Sequence, residues 1–284
     1  MKIGNYELYA IETGRFALDG GAMFGVVPKT LWEKAIPPDE KNRIDMAARA
    51  LLLIGNGRKI LIDVGNGSKF NEKLRDIYKI DNSRFTLLGS LQKLGITATE
   101  ITDVILTHLH FDHAGGSTYR ENGTLKPTFP NARYYVQRAH WEAANNPTER
   151  DRASFFPDDF RPLQEYGLLN FTEGEGEILP GISCRVCNGH TTALQAPVIS
   201  DGRTTLLYCA DLVPTIAHVP LPWIMAYDLR PLVTLEEKRR ILTQAVDENW
   251  ILFFEHDASV ETARLQKTEK GFVAVNPASL ASLD

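Results

Sequence analysis

The stretch that most restricts this chain is Thr107-His108-Leu109-His110-Phe111-Asp112-His113-Ala114-Gly115-Gly116, where four groups able to bind a metal fall within six positions. An apolar run, Asp103-Val104-Ile105-Leu106, leads into it and predicts a strand that enters a sheet and stops at Thr107. His108 and His110 are two apart, so an extended backbone points them to the same side. Asp112 and His113 then fall on the turn, where the glycine pair allows a tight bend. Crowding four such groups together without a cation would leave charge and lone pairs unsatisfied. Imidazole with carboxylate suits a borderline divalent ion: zinc is the expected one, with iron, manganese or cobalt as alternatives.

Such a site needs donors from later segments, and the seven histidines (108, 110, 113, 140, 190, 218 and 256) limit the choice. His190 follows a strand-like run at 182–186, Asp211 ends the run 205–210, and His256 ends the run 251–255. Each sits where an apolar strand runs out, which is where α/β proteins gather functional groups. His140 lies in a helical stretch outside any ligand pattern and reads as structural.

The spacing His-x-His-x-Asp-His after a strand resembles the signature of the metallo-β-lactamase superfamily, and the match extends over nearly the whole chain. The resemblance supplies His190, Asp211 and His256 as the remaining ligands, in that order. It implies an α/β fold, a four-layer αβ/βα sandwich with two mixed sheets flanked by helices, formed by residues 1–284 as a single catalytic domain. Seven ligands exceed the four that one zinc prefers, so two divalent ions are implied. In the family's roles His108, His110 and His190 hold the first ion, Asp112, His113 and His256 the second, and Asp211 bridges them opposite a hydroxide. Asp112 also orients that nucleophile. Asp63, closing the apolar run Leu61-Ile62, occupies the position of a carboxylate that orients the metal histidines, a role that suits a ligating imidazole's second N–H.

Length and composition bound the rest. A chain of 284 residues can bury a sizeable core, and 43% hydrophobic with 24% charged residues is ordinary for a globular protein. A net charge of −5 argues against nucleic acid as partner, since phosphate backbones need a positive footprint. No run approaches the roughly 18 apolar residues of a membrane span. Cys184, Cys187 and Cys209 lack a second pair for a zinc knuckle and read as buried thiols of a reducing compartment. A cytoplasmic protein is expected, although a removed leader would leave no trace in this sequence.

Along the chain, residues 47–54 and 58–64 flank Gly55-Asn56-Gly57 as a β-hairpin. Residues 70–79, 86–93, 138–144 and 234–249 read as helices, the last opening on a capping box at Thr234. The segment 14–45 is rich in glycine, proline and aromatics. It reads as irregular, either walling a pocket or packing on the core or in a homodimer. The polar stretch 145–170 is a second candidate wall.

Within the family, β-lactamases often carry cysteine where this chain has Asp211, and flavodiiron proteins replace a ligand histidine by glutamate where this chain keeps His110. N-acyl-homoserine lactone lactonases match His-Leu-His-Phe-Asp-His-Ala-Gly-Gly almost letter for letter. They usually add a tyrosine three residues past the bridging aspartate, where this chain has Pro214; Tyr227 and His218 are candidates to replace it. Methyl parathion hydrolase-like enzymes fit the wider ligand spacing and the loop Gly20-Gly21-Ala22-Met23-Phe24-Gly25. Met23, Phe24, His218 and Tyr227 are therefore the expected pocket residues. The expected reaction is opening of a lactone or ester of a small, partly apolar molecule, as in quorum quenching. The alternatives are phosphotriester hydrolysis and a metal-bearing sensor without turnover.

Overall fold

The chain begins with a short strand, β1 (Lys2–Ile3), paired antiparallel with β2 (Tyr6–Asp19). In the computed structural model, which describes residues 1–283, β2 runs past Gly14 into the segment read as irregular. Burial of Phe16, Ala17 and Leu18 explains the extension. Gly14 does not interrupt the strand; it makes room, since a Cβ there would lie 2.5 Å from the Asn82 side chain. Two short helices, α1 (Gly20–Phe24) and α2 (Lys29–Trp32), follow.

The predicted hairpin joins β3 (Arg43–Gly55) to β4 (Arg58–Ile62). Asn56 and Gly57 are both left-handed, the conformation that a two-residue turn between twisted strands requires. The predicted helices 70–79 and 86–93 shorten to α3 (Glu72–Ile77) and α4 (Leu87–Lys93). The side chains of Asn71 and Thr86 accept the first-turn N–H groups of these helices at 2.9 and 3.0 Å. β5 (Asp103–Ile105) lies parallel to β4, and the helical turn α5 (Phe111–Ala114) follows it. A hairpin of β6 (Thr118–Glu121) and β7 (Thr124–Pro127) precedes β8 (Arg133–Gln137), α6 (Arg138–Asn145), α7 (Pro157–Glu165) and β9 (Leu169–Thr172). The sheet order is β1-β2-β3-β4-β5-β8-β9, antiparallel at first and parallel from β4 onward. Leu52, Leu61, Val104 and Val136 from the strands pack with Leu91, Phe160 and Leu163 from the helices. Burying each such side chain contributes about 1.5–3 kcal/mol.

A second sheet takes its strands in chain order: β10 (Gly176–Leu179), β11 (Ile182–Cys187), β12 (Leu194–Ser200), β13 (Thr205–Tyr208), β14 (Ile251–Phe253), β15 (Thr262–Thr268) and β16 (Gly271–Ala278). Only β13 and β14 pair in parallel, and their crossover holds α8 (Pro231–Asp247). This helix starts earlier than predicted, with Pro231 in its first turn. Thr234 therefore lies inside it and does not cap it. Thr234, Lys238, Ile241, Leu242 and Ala245 form its buried face.

The chain divides into two compact units. The first comprises Met1–Phe16 and Ala47–Gly174; the second comprises Ala17–Met46 and everything from Glu175 on. The three cysteines are buried, and no helix among the described residues is long and apolar enough to cross a membrane.

Two turns of the first unit touch backbone to backbone. A Cβ on Gly67 would lie 2.2 Å from the Gly115 carbonyl oxygen, and one on Gly115 would lie 2.1 Å from that of Asn66. Gly115 has an ordinary helical conformation, so its penalty is purely steric. Gly115→Ala is expected to lower stability by about 1–3 kcal/mol, read as a drop in thermal midpoint. An unchanged midpoint would contradict this packing.

Candidate metal centre

The strand leading into the histidine motif stops at Ile105, two residues sooner than predicted, because Thr107 is captured sideways. The Asp63 carboxylate accepts the Thr107 N–H and hydroxyl, each at 2.8 Å, and faces His113 Nδ1 at 2.8 Å. Asp63 itself ends β4 in a left-handed conformation. Its N–H donates to Ile105 O, and the Val64 N–H to His113 O, both at 2.9 Å. His108 and His110 therefore sit in a loop, with His108 Nε2 3.0 Å from His110 Nδ1. Asp112 and His113 lie on the helical turn α5, with His113 Nε2 4.0 Å from an Asp112 oxygen. All four predicted ligands of this unit are buried and adjacent.

Two side chains support this motif from other segments of the unit. The Leu109 N–H donates to His140 Nε2 at 2.8 Å, so the buried His140 is structural, as expected, and pegs the motif loop. Lys69 Nζ donates to the carbonyls of Gly115 and Thr118 and pairs with Asp159 at 3.0 Å. Burial raises the Asp159 carboxyl to about 6, against the pull of Lys69.

In the second unit His190 lies just past β11, and Asp211 lies in a single turn, Ala210–Leu212, directly after β13. Ala210 is left-handed, an uncommon state for a residue with a Cβ and one that clusters at functional sites. His190 Nε2 faces one Asp211 oxygen at 3.0 Å, and His256 Nε2 faces the other at 3.3 Å. Glu255 is buried beside them, within metal-binding reach of Asp211 and His256. The His190 Nδ1–H points at Asp228 at 2.8 Å, the same service that Asp63 gives His113. Nothing in the sequence marks Asp228, which is 38 residues away. Burial alone would depress the His190 pKa, but Asp211 and then Asp228 outweigh it and raise the value to about 10. In the metal-free protein this ion pairing adds stability that is fully present below the ordinary imidazole value of 6.5. It is lost as pH rises through about 10.

Three of the four expected pocket residues belong to the core of this unit. Met23, Phe24 and His218 are at most 1% exposed. His218 Nε2–H donates to Met23 O at 2.8 Å, so Nδ1 accepts the Thr215 hydroxyl at 2.7 Å. Its ring stacks on Phe24 at 4.7 Å, and burial lowers its pKa to about 3. Both His218 nitrogens are engaged within the protein and the ring has no open surface. Tyr227 alone of the four is open, at 37%. Lys238 fixes this region from below, its Nζ donating to the carbonyls of His218, Pro220 and Trp223 at 2.7, 3.1 and 2.9 Å.

The donor chemistry suits divalent cations: imidazoles and carboxylates gathered out of water, with outer carboxylates fixing two of the rings. Comparison with known proteins agrees. A family model described as the metallo-beta-lactamase superfamily matches residues 45–256. The N-acyl homoserine lactonase AiiA of Bacillus thuringiensis subsp. kurstaki is 28% identical over 267 residues, 90% of this chain and 94% of that protein. The crystal structure of a probable metal-dependent hydrolase from Staphylococcus aureus superposes with a TM-score of 0.90 at 27% identity over 100% of both chains. AidC, a dizinc quorum-quenching lactonase in complex with a product, superposes with a TM-score of 0.81 at 25% identity, over 99% of this chain and 97% of that one. Two mixed sheets flanked by helices are the fold these proteins share, and the chain belongs to the metallo-β-lactamase superfamily as a metal-dependent hydrolase.

Proposed function

We propose that this hydrolase opens the lactone or ester bond of a small, partly apolar molecule at a dinuclear centre, as one catalytic domain in the cytoplasm. The reading assigns His108, His110 and His190 to one ion, Asp112, His113 and His256 to the other, and Asp211 to both, with zinc as the metal. The observation that carries it is Asp211, whose two oxygens face different imidazoles at 3.0 and 3.3 Å, as a bridging carboxylate requires. The lactonase names of the relatives support the substrate class. Divalent ions held there would supply hydroxide at neutral pH and polarise a carbonyl.

The chain's own residues do the rest. Asp63 and Asp228 each take an Nδ1–H, which leaves Nε2 of His113 and His190 as the lone pair aimed inward. Asp112 orients the attacking oxygen. Burial keeps bulk water from screening these charges.

Metal-free protein reconstituted with zinc, cobalt or manganese is expected to take up two ions per chain and to hydrolyse acyl-homoserine lactones and aryl esters. Turnover of paraoxon-like triesters with silent lactones would replace the reading by phosphotriester hydrolysis, and silence on every class would indicate a sensor. Asp211→Asn is expected to weaken metal retention at least tenfold against a chelator. At pH 8, below the raised His190 value of about 10, zinc binding should release about one proton from that ring. Calorimetry in buffers of different ionisation enthalpy measures it, and a buffer-independent heat would contradict the protonated state.

A further inference from the structure

Asp211, Glu255 and His256 all belong to the second unit, and each places one donor atom within 4.8 Å of the others. All three are buried, Glu255 most deeply at 1% exposed. Adjacent side chains of a strand point to opposite faces, so a regular strand could not turn both Glu255 and His256 toward Asp211. β14 ends at Phe253, and isolated hydrogen bonds hold the chain beyond it. The Phe254 N–H donates to Glu261 O at 2.8 Å and the His256 N–H to Pro214 O at 3.2 Å. Leaving the ladder is what lets two neighbours face one carboxylate. Asp257, next in the chain, is taken up by the backbone: its oxygens accept the N–H groups of Ile216, Ser259 and Val260 at 3.1, 2.9 and 2.8 Å. Glu255 is therefore the carboxylate that this segment adds beside Asp211. Two buried carboxylates this close repel each other, and a cation between them turns the repulsion into attraction.

The seven ligands that the resemblance implies leave Glu255 out. We propose that Glu255 is a direct ligand of the ion shared by Asp211 and His256, making that position rich enough in oxygen to take manganese as well as zinc. The proposal rests on the metal-centre reading above, in which Asp211 and His256 are ligands. Bonds of about 2.0–2.6 Å to one divalent cation separate its donors by up to about 4–5 Å, so the three groups fit around a single ion. Imidazole is a borderline donor that suits zinc, whereas carboxylate oxygen is harder and suits manganese. Zinc is satisfied by four donors, and manganese prefers an octahedral, oxygen-rich shell. An added carboxylate therefore strengthens manganese binding more than zinc binding.

The test titrates the metal-free full chain and its Glu255→Gln and Glu255→Asp variants with manganese or zinc against a chelator. Gln keeps the shape and loses the charge; Asp keeps the charge and withdraws it by one carbon. Manganese affinity should fall about tenfold or more in Glu255→Gln and about threefold or more in Glu255→Asp, while zinc affinity stays within about threefold in both. Cobalt-loaded Glu255→Gln should absorb more strongly in the visible, because losing a donor moves cobalt toward four-coordination. Metal-free Glu255→Gln should keep or raise its thermal midpoint, since it loses a like charge beside Asp211. Unchanged manganese affinity and cobalt spectrum in Glu255→Gln would overturn the proposal. Loss in Gln with full retention in Asp would also overturn it, by making Glu255 a source of charge and not a ligand. An equal loss of both metals with a lowered midpoint would do the same, by making it a structural support. An unsubstituted chain that retains neither metal would overturn the metal-centre reading itself.

Discussion

The Asp63 carboxylate is the point on which the motif side of this protein turns. It accepts from Thr107 twice and faces His113, three contacts at 2.8 Å in a buried setting. Hydrogen bonds to a charged group contribute about 1.5–3 kcal/mol each, enough to offset the 1–3 kcal/mol or so that a left-handed non-glycine residue costs. The strain has a use. By turning out of β4 at Asp63, the backbone brings one carboxylate under both the loop after β5 and the helical turn α5. Two segments of the histidine motif are thereby indexed to a single strand end.

Buried ammonium groups do the complementary work. Lys69 gathers the carbonyls of Gly115 and Thr118 immediately after the histidine motif, and Lys238 gathers three carbonyls of the loop that follows Asp211. Tight non-repeating loops leave backbone acceptors without ladder partners, and each must be satisfied somewhere. A long side chain meets several at once. Burial lowers the Lys238 pKa to about 7, the physical cost of placing a cation there. Lys238 does this from the long helix α8, which suits a loop whose groups must hold position.

The residues proposed as ligands form imidazole–carboxylate pairs within each unit. His113 pairs with Asp63, and His190 with Asp211 and Asp228. Asp63 and Asp228 hold the Nδ1 side of their rings, which leaves Nε2 of His113 and His190 as the nitrogen available to an ion. It also explains why a short stretch of chain tolerates so many titratable groups out of water. The half-buried aromatic rings around Phe111 then set an apolar boundary beside the charged cluster.

Much of this was legible in the residues alone. Periodicity and turn chemistry predicted the hairpin at Gly55-Asn56-Gly57 and the helix 138–144, because those signals act over a few neighbours. The motif His-x-His-x-Asp-His announced metal chemistry, and strand ends pointed to His190, Asp211 and His256. Strand and helix limits were less legible: β5 stops early because Asp63, more than forty residues away, competes for Thr107, and α8 begins before its apparent capping box because Pro231 already supplies a start. Asp228, His140, Lys69 and Lys238 carry no local signature. A carboxylate or ammonium becomes a support only when a distant turn folds against it, and that is a property of three-dimensional placement. The same holds for Met23, Phe24 and His218, whose composition suggested a pocket and whose packing made them core. Sequence determined which chemistry the chain can host, since donor type and spacing are local; tertiary structure decided which groups hold it in place, since burial and hydrogen-bond partners come from residues far apart in the chain.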